Sequence, residues 1–474
     1  MAFSTETFVA MLALSGAVIV LTSLLSGFVE RANLPQVAVF LLLGLVLGPS
    51  VLGLMEIRLD SPALRVFATL GLALVLFTDA VTLKLGEAKQ HLRLTSLILG
   101  PGTLLATGAM AVLAHYLLGL DWAASVVLAS ALASTDPVML RGLLHRRDLP
   151  RQARLGLRLE SGLNDIVLLP ILLVAMSFMP GGRGASMGEM LIELFVLGPV
   201  AGLVVGWGSI LALRTARARI GVRRDYESIY SLGVCFTAYA AGEALHGSGF
   251  LAAFAAGAVI SALDPELCDC FIEYGETTAE MLLMFTFVLL GGSLIWSGFP
   301  LLTWAIVAFV ALSLLARPIA LWLSLLAEKM DLRSRKLIIY FGPRGLSTLL
   351  LALLPAFEGR AGSDKIFAVA GLVVLASVLV HGGSIMAYGR KRPTRTTTRL
   401  RVAAPQVSPD DEHLLITVDE LHSVPDVRLA DVRSLRAYED SDEGIEGAVR
   451  VDPDDPLGSL GAFSPTDWIA LFCT

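Results

Sequence analysis

Charged residues are scarce in this sequence: Asp, Glu, Lys and Arg make up 16% of its 474 residues, whereas soluble domains carry roughly a quarter. Hydrophobic residues supply 55% of the chain. Apolar runs of about 20 residues follow one another, and that length crosses a bilayer as a helix. Alternating segments of about ten residues, typical of membrane β-barrels, are missing. The composition therefore excludes a soluble protein and predicts a polytopic, all-α membrane protein.

Cysteines and targeting signals are also scarce. The chain has four cysteines, of which Cys235 lies in an apolar run and Cys268 and Cys270 lie in a predicted cytoplasmic loop. No C-x-x-C pair occurs, so neither disulfides nor a zinc site is predicted. Residues 1–25 lack a basic segment and a small-residue cleavage site, which favours a first membrane span over a signal peptide.

The apolar runs predict about thirteen membrane-spanning helices. Basic residues concentrate in alternate loops, and the positive-inside rule places those loops in the cytoplasm. We therefore expect a protein of the cell (inner) membrane with its N-terminus outside and its C-terminus inside. The acidic loop 264–276 is the exception to this charge pattern. The predicted spans are approximately 7–28, 35–54, 62–83, 94–118, 122–144, 155–179, 188–213, 227–245, 248–263, 277–295, 300–327, 335–355 and 365–388.

The fifth predicted span contains a carboxylate beside a proline, Asp136-Pro137. An acid in a membrane span is costly and usually faces a protein interior or a water-filled cavity. Pro137 has no N–H, so the carbonyl of Ala133 loses its helical partner and the helix should break. Transporters build ion sites from such broken helices. A kinked structural helix with a salt-bridged Asp136 is the alternative interpretation.

The sixth predicted span adds Glu160, Ser161, Asn164 and Asp165. Ser161 and Asp165 are four residues apart and share one helix face, while Glu160 and Asn164 lie on the adjacent stripe. Oxygen ligands of mixed charge suit a small hard cation. A desolvated carboxylate can hold either a proton or a cation, and that competition is what an exchanger requires. Asp79, in the third span, is either a further member of this cavity or an interfacial acid.

The twelfth predicted span is interrupted as well, by Gly342-Pro343-Arg344-Gly345. Interrupted helices in both halves of a chain point to an inverted-repeat transporter with its site between them. The two halves show no repeat by residue identity, so the prediction depends on the placement of the breaks. Arg317 precedes Pro318 in the eleventh span, and we expect only a carbonyl or lipid-interface contact from it.

These motifs together resemble the signatures of a known family. S-T-D-P-V at 134–138, E-S-G-L-N-D at 160–165 and G-P-R-G-L at 342–346 are similar to those of the monovalent cation/proton antiporter-1 family of sodium/proton exchangers. G-E-A-L-H-G-S-G-F-L-A at 242–252 also fits that pattern. The resemblance covers about residues 1–390, and the motifs are specific in combination and in order.

The resemblance implies a secondary transporter that exchanges Na⁺ or K⁺ for H⁺ by alternating access, without a cofactor and without enzyme activity. It implies a homodimer in the lipid bilayer, with an interface domain and a six-helix core domain. Asp165 would bind the cation or the proton. Asp136, Thr135 and Ser161 would lie in or near the coordination shell, with Asp165, Ser161 and Thr135 as cation ligands. Nothing in the sequence points to a nucleic-acid partner.

Two further expectations depend on the resemblance. Glu160 and Arg344 would form a structural ion pair between the sixth and twelfth spans. Related electrogenic exchangers carry two adjacent Asp residues in the sixth span, whereas this chain has Asn164 before Asp165. Asn does not ionise, so a single carboxylate would cycle between proton and cation. Exchange should then be electroneutral, one for one.

The last part of the chain differs from the rest. A basic linker, 391–412, precedes a region, 413–474, with a soluble αβ pattern: apolar residues 414–416, a short helix at 418–423, and strands at 427–432 and 468–472. L-A-D-V-R-S and I-E-G-A-V, from Leu429 and Ile445, resemble the start of a rhodanese (sulfurtransferase) domain. Cys473 then resembles its active-site cysteine, which needs a loop of backbone N–H groups to lower the thiol pKa.

The sequence ends one residue after Cys473, so we expect an incomplete, inactive tail domain. Two other functions remain alternatives. A membrane-anchored sulfurtransferase or redox sensor would need a complete cysteine loop. A channel would need a continuous pore, whereas paired broken helices with titratable acids favour alternating access.

Overall fold

A computed structural model shows the chain as two compact units, Met1–Pro393 and Thr394–Thr474. The structure describes residues 36–49, 51–53, 58–59, 61–82, 91–144, 146, 149–181, 187–219, 221, 224–263, 265–292, 294–390, 427–432, 448–451 and 468–472, with positions 16, 20 and 24. The predicted first span, 7–28, therefore lies outside the described residues except at those three positions.

The first unit is built from helices. They are α1 (Gln36–Leu47), α2 (Pro62–Val81), α3 (Leu92–Leu97), α4 (Thr103–Leu118), α5 (Trp122–Ala133), α6 (Pro137–Leu144), α7 (Arg151–Ser177), α8 (Met187–Ile192), α9 (Gly198–Arg219), α10 (Arg224–Ala244), α11 (Gly249–Leu263), α12 (Pro265–Gly292), α13 (Trp304–Leu325), α14 (Leu332–Tyr340), α15 (Leu346–Phe357), α16 (Ser363–Ser377) and α17 (Gly383–Arg390). Turns of π-helix lie at Ile98–Gly102, Glu193–Leu197 and Val378–Gly382, and a 3₁₀ helix at Leu294–Leu301.

In the described part of the chain, six helical segments are long and apolar enough to cross a bilayer, and seven if one bent pair counts as a span. The six are Leu64–Val81, Leu92–Leu118, Arg151–Ser177, Glu193–Arg219, Trp304–Leu325 and Ser363–Met386. The protein is thus a multi-pass, mostly helical membrane protein. The count of about thirteen spans stays a prediction.

Both predicted helix breaks are present. Helix α5 ends at Ala133, and α6 begins at Pro137, whose ring and missing N–H prevent the helix from continuing through it. Helix α14 ends at Tyr340, and α15 begins at Leu346, after the Gly-Pro-Arg-Gly segment. Helices α5 and α15 have 12 residues each, about 18 Å at the usual rise. Neither is long enough to cross a bilayer by itself.

The helices of the first unit pack as two bundles. In the core bundle, α5 contacts α4, α7, α15 and α16, and α13 packs against α4 and α16. In the flanking bundle, α11 contacts α2, α9 and α10, and α12 contacts α1 and α2. Helix α2 also touches α7 and α15, which joins the two bundles. Both broken helices therefore lie in the core bundle, beside α7.

Burial separates the inner helices from the outer ones. Residues Leu346–Pro355 of α15 are all buried, and so is most of α16. Helix α9 instead exposes the large apolar side chains of Leu203, Val204 and Trp207. An apolar exposed face is what a lipid-facing helix presents. The core bundle thus encloses α15 and α16 away from lipid.

The second unit contains a parallel three-stranded sheet. Its strands are β1 (Val427–Asp431), β2 (Val449–Arg450) and β3 (Trp468–Phe472), in the order β2-β1-β3. Ala430 of β1 is aligned with Val449 on one side and Leu471 on the other. The strands predicted at 427–432 and 468–472 are thus present. The predicted elements at 414–423, and Cys473, lie outside the described residues, and the rhodanese-like fold stays a prediction.

Candidate functional site at two crossed helix breaks

The two extended segments between the broken helices cross and bind each other. The backbone N–H of Asp136 donates to the carbonyl of Pro343 over 2.9 Å. The N–H of Leu346 donates to Asp136 Oδ2 over 2.8 Å, and Thr348 Oγ1 donates to the carbonyl of Ser134 over 3.3 Å. A helix break leaves backbone groups without partners, and buried groups of this kind must be satisfied. Residues of each break, or of the helix that follows it, therefore form hydrogen bonds with polar groups of the other break.

Asp136 occupies the N-terminus of α15. Its side chain is buried and accepts the amide of Leu346, the first residue of that helix. A carboxylate at this position interacts favourably with the unpaired N–H groups and the positive end of the helix dipole. Asp136 thus links the first break directly to α15.

Helix α7 brings Asp165 against the first break. Asp165 is buried, and its Oδ1 accepts a hydrogen bond from Ser134 Oγ over 2.6 Å. The neighbouring Asn164 donates from Nδ2 to Thr135 Oγ1 over 2.8 Å. The structure therefore brings Asp165, Asn164, Thr135 and Asp136 together, as the sequence predicts. Ser134 was not among the predicted site residues, although it is a hydroxyl residue inside the predicted break.

One oxygen of this cluster lacks a protein partner. Asn164 Oδ1 is buried and, among the described residues, accepts no hydrogen bond. A buried polar atom usually finds a partner in the protein, water or an ion. The surrounding groups are carboxylate, hydroxyl and amide oxygens, which are ligands that hard monovalent cations accept. The residues present therefore fit a monovalent cation as a transported substrate.

Two predicted site residues have weaker structural support. Ser161 is buried on α7, one turn before Asp165, and its hydroxyl lies 3.5 Å from the carbonyl of Arg158, the outer limit of a hydrogen bond. Asp79 is half-buried on α2, two residues before the helix ends. Their participation in the site stays a prediction.

The predicted ion pair between Glu160 and Arg344 is wrong. Arg317 of α13 binds Glu160 instead, with Nε 2.8 Å from Oε1 and Nη2 2.7 Å from Oε2, and both side chains are buried. This is the bidentate geometry in which guanidinium and carboxylate interact most strongly. Arg317 also donates to the carbonyls of Ile338, Ile339 and Phe341.

Those three carbonyls explain why Arg317 lies where it does. They belong to the C-terminal end of α14, where the helix stops and its last carbonyls lose their partners. The Arg317 guanidinium satisfies these carbonyls and pairs with Glu160 at the same time. The carbonyl contact expected for Arg317 is present, and the residue joins α7, α13 and the end of α14.

Arg344 points away from Glu160. Its guanidinium contacts Ser313 and Met110, donating to the Ser313 carbonyl over 2.6 Å from Nη2. The side chain is fully enclosed, with 2% of the residue exposed. Its backbone N–H donates to Ser377 Oγ over 2.8 Å. Arg344 therefore ties the second break to α13, α4 and α16.

A cavity of about 920 Å³ lies between the two bundles, lined by both apolar and charged side chains. It reaches α7 at Leu173 and Met176. Leu173 is eight residues beyond Asp165, or about 12 Å along the helix. Leu168, Leu169 and Leu172 of the same helix are fully buried. Asp165 is also buried, and it is not one of the residues that line this cavity.

Two interrupted helices that cross beside buried acids are the arrangement from which ion-transport proteins build their sites. The sequence model of the family described as "Sodium/hydrogen exchanger, transmembrane" matches residues 17–391, and the chain belongs to this family. The family predicted from the motifs is thereby confirmed.

Curated relatives agree with this assignment. The chain is 29% identical over 401 residues to the K(+)/H(+) antiporter NhaP2 of Shewanella oneidensis, covering 80% of this chain and 66% of the relative. It is 24% identical over 381 residues to the Na(+)/H(+)-K(+) antiporter GerN of Bacillus cereus, covering 79% and 96% of the two chains. The chain thus spans just under two thirds of the length of NhaP2. Both relatives are named as transporters, in agreement with the prediction that the protein is not an enzyme.

A solved structure shows the same fold. The sodium proton antiporter MjNhaP1 from Methanocaldococcus jannaschii superimposes with a TM-score of 0.66 and 21% sequence identity. The match covers 81% of this chain and 99% of the other. The antiporter fold is thus confirmed for the first unit.

Proposed function

We propose that this protein exchanges Na⁺ or K⁺ for H⁺ across the membrane, with Asp165 binding the cation and the proton in competition. The observation that carries the proposal is the buried Asp165 carboxylate at the crossed breaks, beside the unpartnered Asn164 Oδ1. A deprotonated Asp165 offers a charged oxygen for a cation, and a protonated one leaves the site neutral. The names of the relatives support the same exchange.

Competition at one carboxylate has a direct consequence for pH dependence. Protons and cations exclude each other from Asp165, so apparent cation affinity should fall as protons bind this residue. The Ser134 hydroxyl can donate to the carboxylate when no cation is bound. It thereby supports the empty site, and a bound cation would compete with it for Oδ1.

The stoichiometry we propose is one proton for one cation. Asn164 carries no exchangeable proton, and Asp136 Oδ2 is already bound by the amide of Leu346. Asp165 is then the one carboxylate that cycles. Because the proton and the cation carry the same charge in opposite directions, exchange would be electroneutral.

We further propose alternating access between the two sides of the membrane. The cavity between the bundles would give an approach from one side, and Asp165 is buried outside the lining of that cavity. Movement of the core bundle against the flanking bundle would open that path. A homodimer in the inner membrane, with the N-terminus outside and the C-terminus inside, completes the proposal. The family resemblance and the loop charges support these assignments.

The test is antiport in proteoliposomes that contain the purified full-length protein and a dye that reports ΔpH. Na⁺, K⁺ and Li⁺ are titrated in turn, and valinomycin with K⁺ clamps the voltage in the Na⁺ experiments. We expect cation-driven proton movement whose rate is unchanged by the imposed potential. A rate that varies several-fold with voltage would exclude the one-carboxylate exchange, and no proton movement with any cation would exclude antiport.

A further inference from the structure

We propose that Ser377 and His381 act as positioning residues, which hold the second break in the geometry that fixes Asp136 beside the cation site. This inference rests on the proposed exchange function for its kinetic consequence. It concerns two buried side chains, on α16 and its π-helical turn, that are not among the predicted cation- or proton-binding residues.

Ser377 and His381 form a buried pair on one helix face. Ser377 is the last residue of α16 and is fully buried, and His381 lies in the π-helical turn Val378–Gly382 with 5% of its surface exposed. Ser377 Oγ and His381 Nδ1 are 3.0 Å apart. Turns of π-helix inside α-helices frequently occur at functional sites.

Ser377 Oγ is the atom that joins the pair to the second break. It accepts the backbone N–H of Arg344 over 2.8 Å. It also contacts His381 Nδ1, and either atom can donate in that contact according to the imidazole tautomer. The Tyr340 ring lies 5.9 Å from the imidazole, and its hydroxyl contacts Ser384 over 2.5 Å. The imidazole is therefore held between the end of α14 and the helix that follows the π turn.

The pair is connected to Asp136 through four consecutive residues. Pro343 accepts the Asp136 amide, Arg344 donates to Ser377, and Leu346 donates to Asp136 Oδ2. Ser377 thus fixes the middle of the segment whose two ends bind Asp136. Without its hydroxyl the buried Arg344 amide loses its acceptor, which is costly. The segment would then shift toward another partner, and Asp136 with it.

The first half of the chain provides an independent parallel. There, the helix after the broken helix, α7, contacts the break through Asn164 and Thr135, which are 29 residues apart. In the second half, the helix after the broken helix, α16, contacts the break through Ser377 and Arg344, which are 33 residues apart. Each half thus uses its following helix to hold its break. The first contact includes cation ligands, and the second is a neutral support.

The kinetic test compares Ser377→Ala and His381→Leu with their conservative counterparts, Ser377→Thr and His381→Asn, in full-length protein in proteoliposomes. Ser363→Ala is the matched control, because Ser363 is a buried serine at the first residue of α16, whereas Ser377 is the last. We expect the first two variants to raise the apparent KM for Na⁺ about fivefold, the scale of one lost hydrogen bond, with the maximal rate within about twofold. The conservative variants and the control should remain close to wild type.

A second measurement does not depend on transport. Hydrogen–deuterium exchange of the peptide covering 341–348, with the protein in nanodiscs, reports on the amides of the second break, including that of Arg344. We expect faster hydrogen–deuterium exchange in Ser377→Ala and wild-type protection in Ser377→Thr and Ser363→Ala. If hydrogen–deuterium exchange is faster in Ser377→Ala but the wild-type protein shows no antiport, the positioning role is upheld and the proposed function is excluded.

The proposal would be overturned if Ser377→Ala changed neither the hydrogen–deuterium exchange of peptide 341–348 nor the apparent KM for Na⁺. A loss of maximal rate with constant KM in folded protein would also overturn it, because a purely structural role predicts that pattern.

Discussion

The two helix breaks share one backbone design and differ in chemistry. The first, Ser134 to Asp136, presents hydroxyls and an acid, and it receives a second acid from α7. The second, Phe341 to Gly345, presents backbone groups and is surrounded by the guanidinium groups of Arg317 and Arg344. The comparison indicates a division of tasks. The first break lies against Asp165, the carboxylate proposed to exchange a proton for a cation, and the second holds the neighbouring Asp136 in place.

The two arginines beside the second break also differ from each other. Arg317 is paired with a carboxylate, whereas the contacts described for Arg344 are with the neutral Ser313, Met110 and Ser377. Removing one partner of a buried ion pair leaves an uncompensated charge, which is strongly destabilising. The two arginines should therefore respond differently to mutation of Glu160, and that difference separates their roles.

The largest effect is expected at the first break. Asp165→Asn and Asp136→Asn should each abolish exchange in folded protein. The first removes the cycling carboxylate, and the second removes the negative charge at the N-terminus of α15, where Asp136 accepts the Leu346 amide. The measurement is cation-driven ΔpH in proteoliposomes, with monodispersity in detergent as the control for folding. Exchange at the wild-type rate in Asp165→Asn would contradict the assignment of this residue.

The next effect concerns stability at the second break. Arg317→Met should lower the free energy of unfolding by about 3–5 kcal/mol, because Glu160 is left buried without its partner. Adding Glu160→Gln should recover part of that loss, and thermal unfolding of the single and double variants measures the coupling. Glu160→Gln combined with Arg344→Met is the matched comparison, for which we expect additive losses. If the losses were strictly additive for Glu160→Gln with Arg317→Met, and strongly coupled for Glu160→Gln with Arg344→Met, the Glu160–Arg344 pair predicted from the sequence would be correct.

A third prediction concerns a variant with an additional acid beside the first break. Asn164→Asp places a second titratable group beside Asp165, so some turnovers should carry an additional proton. Exchange should then become sensitive to membrane potential, while the wild type stays insensitive. The measurement is Na⁺-driven antiport at clamped potentials, with Asn164→Ser as the uncharged control. If an active Asn164→Asp variant showed voltage-independent exchange, the residue at position 164 would not determine how many protons are carried per cation.

The smallest effect is expected where the two breaks support each other through a single hydroxyl. Thr348→Val removes the 3.3 Å hydrogen bond to the Ser134 carbonyl and keeps the side-chain shape. We expect a loss of about 1 kcal/mol in the free energy of unfolding and little change in transport. Thermal unfolding detects it, and a total loss of exchange would mean that this hydroxyl belongs to the site itself.

The helix breaks could be predicted from sequence because their causes are local. Pro137 removes a backbone donor wherever the chain folds, and Gly342-Pro343 interrupts α14 for the same reason. Asp165 could be assigned to a protein interior because an acid in an apolar span must face one. These inferences use only neighbouring residues and the solvent, whereas the place of Asp165 beside the first break was implied by the family resemblance.

The partner of Glu160 could not be predicted from the sequence in that way. Two arginines lie in apolar spans, and the choice between them depends on how α13 and α14 are rotated against α7. Arg317 reaches Glu160 because the end of α14 offers it three carbonyls. Likewise, the contact between Ser134 and Asp165 requires the crossing of two helices, and the position of His381 requires a π turn that side-chain periodicity does not reveal.

The two glycines of the second break have a consequence for related sequences. A Cβ on Gly342 would lie 2.0 Å from Arg317 Cζ, and a Cβ on Gly345 would lie 2.0 Å from Asp136 Oδ2. At each glycine, the space that a side chain would fill is therefore occupied by a charged group from a distant part of the chain. The pairs Gly342 with Arg317 and Gly345 with Asp136 should consequently change together during evolution. A relative with a larger residue at either glycine position should have lost, shortened or moved the charged side chain that fills the space here.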